Sequence, residues 1–341
     1  MMEPDATTRR LYDEAIVIDG LNVSNWDSPA VFRSLQAGGV TAINATIATW
    51  ENYAETMDTI AAWLRRFGEY EDVLTLVRTV ADIRRAKQDG KVGIILGFQN
   101  ATPIENDLDR LAVFHALGVR IIQMTFHERN LLGNGCYEPR DGGLSHFGVD
   151  AVRELNRLGI LVDLSHCGTR TTLDTIEQSE LPVACTHANA RSYFDVPRNK
   201  TDEALKLMAA RGGVVGATAI AGFLRTGWES TLDDYVDAID HLVQMLGIDH
   251  VAIGTDFTQD QPVSFWRYIG SQQGTKYPSV WTNTARPPAV NQPGLYPRDL
   301  ETPDKLPNLA AALLRRGYSP ADTAKLLGEN WLRLFETVWC E

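Results

Sequence analysis

Eight short runs of β-branched and aliphatic residues recur through the first three quarters of the chain, each followed by a stretch with helical spacing, and this alternation constrains the fold most. The runs are AIVIDG (15 to 20), VTAINATIA (40 to 48), KVGIILGF (91 to 98), VRIIQMTF (119 to 126), ILVDLSH (160 to 166), LPVACTH (181 to 187), GVVGATAI (213 to 220) and HVAIGTDF (250 to 257). Between them, 55 to 67, 150 to 159 and 231 to 246 carry apolar residues at three and four spacing, the mark of amphipathic helices. Alternating strands and helices give parallel strands with crossover helices, and eight is the number that closes an α/β (β/α)8 TIM barrel. An open doubly wound sheet would usually place a Gly-rich phosphate turn after its first strand. The run DGLNVSNWD from Asp19 offers one glycine there, so the barrel is preferred.

The 341 residues suit one such barrel domain. Residues 258 to 307 break the alternation with Pro, Gly, Gln and aromatics, and are expected to form an irregular, lid-like insertion. Residues 308 to 341 read as a helical C-terminus, with Ser319 as an N-cap and Pro320 at the first helical position.

Asp and Glu total 44 against 32 Lys and Arg, a net charge of -12, which opposes a phosphate-backbone partner, so no nucleic acid is expected. No run of ~20 apolar residues predicts a membrane span, and the polar N-terminus shows no signal-peptide core. The expected setting is the cytoplasm, with a small-molecule substrate and no membrane partner. Cys136, Cys167, Cys185 and Cys340 form no CxxC pair and read as free thiols.

Active-site groups of a (β/α)8 barrel stand at the C-terminal ends of the strands. The fifth run ends in Asp163-Leu164-Ser165-His166, the sixth in Thr186-His187 and the eighth in Thr255-Asp256, so two imidazoles and a carboxylate are expected at one mouth. Such a set suits a divalent metal such as zinc, which polarises a carbonyl and acidifies bound water. The alternative is that each is a hydrogen-bonded structural residue.

GLSHFGVDAVRELNRLGILVDLSHCG (143 to 168), PVACTHANAR (182 to 191), PRNKTDEAL (197 to 205) and IGTDF (253 to 257), with IVIDG near the start and GENW near the end, resemble the renal (membrane) dipeptidase family. That family, peptidase family M19, is a branch of the amidohydrolase superfamily of metal-dependent barrel hydrolases. Carried over residue by residue, the resemblance implies His166 and His187 as metal ligands and Asp256 as the group that handles the proton of the attacking water. It implies Arg198 as the anchor of a substrate carboxylate, a task suited to a planar guanidinium. Homodimers are common in the family, which makes a homodimer the expectation here.

The chain departs from the family's pattern at the first strand, where a metal-binding His-x-Asp pair is replaced by Leu21 and Val23, and at the third, where Gln99 replaces a bridging glutamate. An amide keeps an oxygen donor but loses the charge. Gln99, His166 and His187 are thus the remaining metal candidates, for at most one tightly held ion, zinc or another divalent metal, or for none. Phe126 falls where the family carries a substrate-binding histidine. His127 is one residue out of register, and alternation along a strand would turn it away, although at a strand end it can swing inward. His127 and Asn130 are carried as substrate-binding candidates, and Glu51 as an acidic group at the same barrel end. GFQN (97 to 100) and TDFTQ (255 to 259) are similar to a bacterial subgroup linked to catabolism of quaternary ammonium compounds, which implies a small cationic or zwitterionic metabolite. Two functions are expected to compete. One is a dipeptidase-like metallo-hydrolase of an amide or related bond, with little true dipeptidase activity. The other is a metal-free protein that binds a small ligand, with Trp26, Trp50, Trp266 and Tyr268 holding a quaternary ammonium by cation–π contact.

Overall fold

The chain is described by a computed structural model over residues 5–270 and 294–339. Nine parallel strands follow one another: β1 (Ile18–Asn22), β2 (Ala42–Ala48), β3 (Leu74–Leu76), β4 (Val92–Phe98), β5 (Val119–Gln123), β6 (Leu161–Asp163), β7 (Ala184–Cys185), β8 (Val214–Ala217) and β9 (Val251–Ile253). They pair in the order β1-β2-β4-β5-β6-β7-β8-β9, and each of these eight overlaps one of the eight runs read from the sequence, β1 alone running on past its run, to Asn22. The ring comes round to its start through an Asn22↔Phe257 bridge and the Val23 N–H to Phe257 carbonyl bond of 2.7 Å, giving the TIM barrel that the alternation implies. Strand β3, only Leu-Thr-Leu, went unread in the sequence because three residues carry no periodicity. It pairs with the first half of β4 (Leu74↔Val92), whereas β5 pairs with the second half (Phe98↔Ile122).

One residue from each ring strand, Ile18, Ala42, Ile95, Ile121, Leu161, Ala184, Val214 and Ala252, shares a buried cluster with Trp331 and Phe335 of the C-terminal helix Asn330–Val338. The helix closes the end of the barrel opposite the strand C-termini. Its indole approaches so near that a Cβ on Gly20 would sit 2.6 Å from the Trp331 ring, and one on Gly254 would sit 1.8 Å from the Thr186 carbonyl oxygen. Only glycine fits there.

Outside the ring, helices Tyr53–Glu69, His146–Leu158 and Leu232–Leu246 realise the three amphipathic stretches. The first opens on a reciprocal Asn52/Glu55 capping box, and the second ends on Gly159 in the left-handed conformation. Ser319 caps as expected, its hydroxyl accepting the Asp322 N–H at 3.0 Å. The described parts of the lid-like stretch include the helix Val263–Ile269; its centre, 271–293, lies outside the described residues. Among the described residues no helix is long and apolar enough to cross a membrane.

Candidate active site

One carboxylate stitches two strand ends together. Asp163, the last residue of β6, accepts the Ser165 amide at 2.9 Å and its hydroxyl at 2.6 Å, then the Thr186 amide at 2.9 Å and its hydroxyl at 2.5 Å. Ser165 Oγ in turn accepts the His187 amide at 3.0 Å. The only hydroxyl proton of Thr186 is thus given to Asp163. Thr186 Oγ1, 2.8 Å from His187 Nδ1, must therefore accept from it, so that His187 carries its proton on Nδ1 and leaves Nε2 bare. That bare nitrogen faces His166 Nε2 at 2.8 Å. Burial, and then the charge of Arg198, hold both imidazoles well below the ordinary histidine range, so both are neutral at physiological pH.

Asp256 follows β9 with its backbone in the left-handed region, at φ 62°. Its amide donates to the Leu21 carbonyl at 3.1 Å, and its own carbonyl accepts the Tyr296 hydroxyl at 2.7 Å, which fixes this uncommon conformation. Just upstream, Asp19 accepts the Thr255 amide and hydroxyl at 2.7 and 2.6 Å. Burial raises the Asp256 carboxyl from 3.8 to about 7; Arg198 opposes the shift, and Asp19 and Asp163 add to it. A carboxyl poised there can take up and return a proton near neutrality.

Asp256, His166, His127 and Gln99 all border one cavity of about 330 Å3 at the C-terminal end of the barrel. The rest of its wall is largely aromatic: Phe126, Tyr137, Phe194, Phe223, Trp228, Phe265 and Trp266. No Lys or Arg lines it among the described residues. Phe126 stacks on His166 with centroids 4.1 Å apart and meets Trp50 edge-on at 5.1 Å.

Several expectations change at this point. Phe126 and His127 are neighbours, yet both border the cavity, because β5 ends at Gln123 and strand alternation no longer applies beyond it. Arg198 does not line the cavity: one terminal nitrogen donates to the Ser165 carbonyl and the other to the His187 carbonyl. Asn130 also turns away. Its amide donates to Asn100 Oδ1 and the Met124 carbonyl, and its Oδ1 accepts the Leu132 and Gly133 amides, so it organises its own loop. Glu51 accepts the Thr49 and Trp50 amides and the Tyr268 hydroxyl, and is a loop latch. Trp266 reaches the cavity, whereas Trp26 packs on Trp63 at 5.2 Å, and Trp50 and Tyr268 belong to a satellite cluster behind Phe126. Tyr137, Phe194, Phe223, Trp228 and Phe265 were missed; their only sequence signal is that they are aromatics in segments following strands.

The residues present fit the metal requirements of such a site unequally. Leu21 and Val23 have no donor atoms, so the first-strand ligand set is absent. The His166 and His187 nitrogens converge as two ligands of one ion would. Two bonds of ~2.0–2.1 Å at a tetrahedral angle need nitrogens roughly 3.3 Å apart, so the rings must part by about half an ångström. Gln99 Nε2 donates to Thr46 Oγ1 at 2.9 Å, which leaves its carbonyl oxygen as a neutral third donor. Among the described residues no three His, Cys, Asp or Glu side chains are grouped closely enough to hold an ion by themselves.

Residues 8–269 match the family model described as membrane dipeptidase (Peptidase family M19). The chain is 30% identical over 296 residues to the dipeptidase verJ of Clonostachys rogersoniana, covering 85% of this chain and 67% of that protein. It superposes with a TM-score of 0.93 on the crystal structure of an amidohydrolase from Pseudomonas aeruginosa, at 40% identity and with 98% of this chain and 99% of that one covered. A dipeptidase and metallopeptidase of family M19, 23% identical with a TM-score of 0.78 over 95% of this chain and 99% of its own, shares the fold.

Proposed function

Because the chain belongs to the membrane dipeptidase family, peptidase family M19, a family of metallo-hydrolases, we propose that it hydrolyses an amide or related bond of a small molecule held in the aromatic cavity. The observation that carries this reading is the convergence of Asp256 and His166 on one cavity, with His187 directly behind His166.

His166 and His187 would hold one divalent ion through their Nε2 atoms, with the Gln99 oxygen completing the protein donors. Such an ion, zinc or another divalent metal, supplies Lewis acidity and lowers the pKa of bound water. The chain's own groups do the rest. Thr186 and Asp163 keep His187 in the tautomer whose Nε2 is bare. Asp256 accepts the proton of the attacking water and returns it to the departing nitrogen or oxygen. The aromatic wall excludes bulk water and orients the substrate.

Ordinary dipeptidase activity is expected to be weak, since Leu21 and Val23 offer no donor for a second ion and, among the described residues, no Lys or Arg lines the cavity to meet a carboxylate. Seven aromatic rings and Asp256 favour a neutral or cationic group, and a quaternary ammonium would gain cation–π contact there.

The second reading, a metal-free binding protein, is favoured by the want of a third charged or imidazole donor among the described residues. Elemental analysis of protein purified without added metal, followed by a screen of amides, dipeptides and betaine-like acids, decides between the two. About one ion per chain with turnover supports the hydrolase. Ligand binding by calorimetry with neither ion nor turnover supports the binding protein.

A further inference from the structure

We propose that Arg198 and Lys200 are positioning residues that set the His166–His187 couple from behind the cavity, a role that rests on reading this couple as the working centre. Both are buried, at 1% and 4% exposure, and neither forms an ion pair with a carboxylate among the described residues. A buried cation costs several kcal/mol unless its donors are satisfied, so where those donors go is informative. The terminal nitrogens go to backbone carbonyls on either side of the histidines, with Thr172 Oγ1 a further acceptor of Lys200, while Arg198 Nε has no hydrogen-bond partner among the described residues. The Arg198 fork spans the Ser165 carbonyl and, at 2.6 Å, the carbonyl of His187 itself. Lys200 Nζ donates to the Cys167 carbonyl at 2.6 Å. His166 is therefore held between two anchored peptide groups, and His187 is held through its own.

Asn199, between the two cations, extends the device. Its amide donates to the Phe194 and Phe223 carbonyls at 2.8 and 3.2 Å, and both of those residues line the cavity. Three consecutive side chains thus tie together the loops that follow β6, β7 and β8. The guanidinium also lies 5.6 Å from the Phe223 ring. A planar fork presents two terminal nitrogens at a fixed spacing to the two carbonyls, whereas an ammonium must reach both from one nitrogen at the end of a flexible stem. Arg198 therefore acts on the substrate only through the histidines, and no carboxylate on the substrate is needed for it to matter.

The test compares kcat and KM of Arg198→Ala, Arg198→Lys and Lys200→Met on paired substrates with and without a carboxylate. It also records long-range 1H–15N spectra of the imidazoles in chelator-treated protein. Positioning requires kcat to fall about a hundredfold in Arg198→Ala, as a displacement near 1 Å does. The fall should be equal for the two substrates, and the Nδ1–H signature of His187 should give way to mixed tautomers. Arg198→Lys should fall between wild type and alanine. A rise in KM confined to the carboxylate-bearing substrate, with kcat and imidazole spectra unmoved, would make Arg198 an anchor and overturn the proposal. If the wild type turns over nothing, the hydrolase reading fails by itself, and imidazole spectra unmoved in all three variants would still refute the positioning role. Should Arg198→Ala not fold, Arg198→Lys and Lys200→Met carry the same comparison.

Discussion

His166 Nε2 lies 2.8 Å from His187 Nε2, a separation at which two nitrogen lone pairs cannot face each other without a proton or a cation between them. Because Thr186 fixes the proton of His187 on Nδ1, the bridge is either the proton of a neutral His166, carried on Nε2, or a shared cation. His166 Nδ1 is buried with no hydrogen-bond partner among the described residues in either state, as a bare acceptor in the first and as an N–H donor in the second.

Replacing either histidine should remove most bound metal, since one imidazole and a neutral amide oxygen remain. Asp256→Asn should keep much of the metal and lose turnover, because an amide cannot accept a proton from water. Metal content per chain and kcat, measured on the same preparations, check this. Asp256→Asn turning over as fast as wild type would remove the proton-handling role.

The same substitution should stabilise the protein above neutrality. The folded state raises the Asp256 carboxyl from 3.8 to about 7, so it binds the proton more tightly than the unfolded chain does. Wild-type stability is therefore full below about pH 4 and falls as pH rises through 7. Asparagine carries no charge at any pH and tolerates the left-handed backbone. In chelator-treated protein the unfolding free energy of the variant, from denaturant melts, should exceed that of wild type by a margin that widens from pH 5 to pH 8, to roughly 2–4 kcal/mol. A margin that does not change with pH would contradict the raised pKa.

Thr186→Val should weaken metal binding about 10- to 100-fold, the usual cost of losing an outer hydrogen-bond partner of a ligand. The methyl group cannot receive Nδ1–H, so His187 becomes free to place its proton on Nε2. Competition with a chromophoric chelator measures the affinity, and an unchanged value would show that the relay does not set the tautomer.

Gly254→Ala should damage both fold and site. The added Cβ would stand 1.8 Å from the Thr186 carbonyl oxygen, backbone that cannot swing aside. A loss of about 3 kcal/mol is expected from such overpacking. Weakened metal binding should accompany it, because the displaced peptide carries Thr186. Denaturant melts and the chelator assay check the two effects separately.

What the sequence alone determined was the scaffold and the addresses on it. Eight apolar runs at regular spacing leave a parallel barrel as the economical way to bury them, and within that barrel His166, His187, Asp256 and Gln99 follow the ends of their strands. Leu21 and Val23 cannot serve as first-strand metal ligands by chemistry alone, since neither has a donor atom. Only the tertiary structure decided which way side chains point beyond those ends. The pleat stops at Gln123, so Phe126 and His127 face the same cavity. Hydrogen bonds between residues far apart in the chain, Asp163 to Thr186 and Arg198 to Ser165, fix a histidine tautomer and turn an expected substrate anchor away from the cavity. Alternation and spacing are local properties that a sequence displays. The direction of a side chain in a loop is set by whichever distant donor or acceptor the fold brings to it, and that exists only once the barrel has closed.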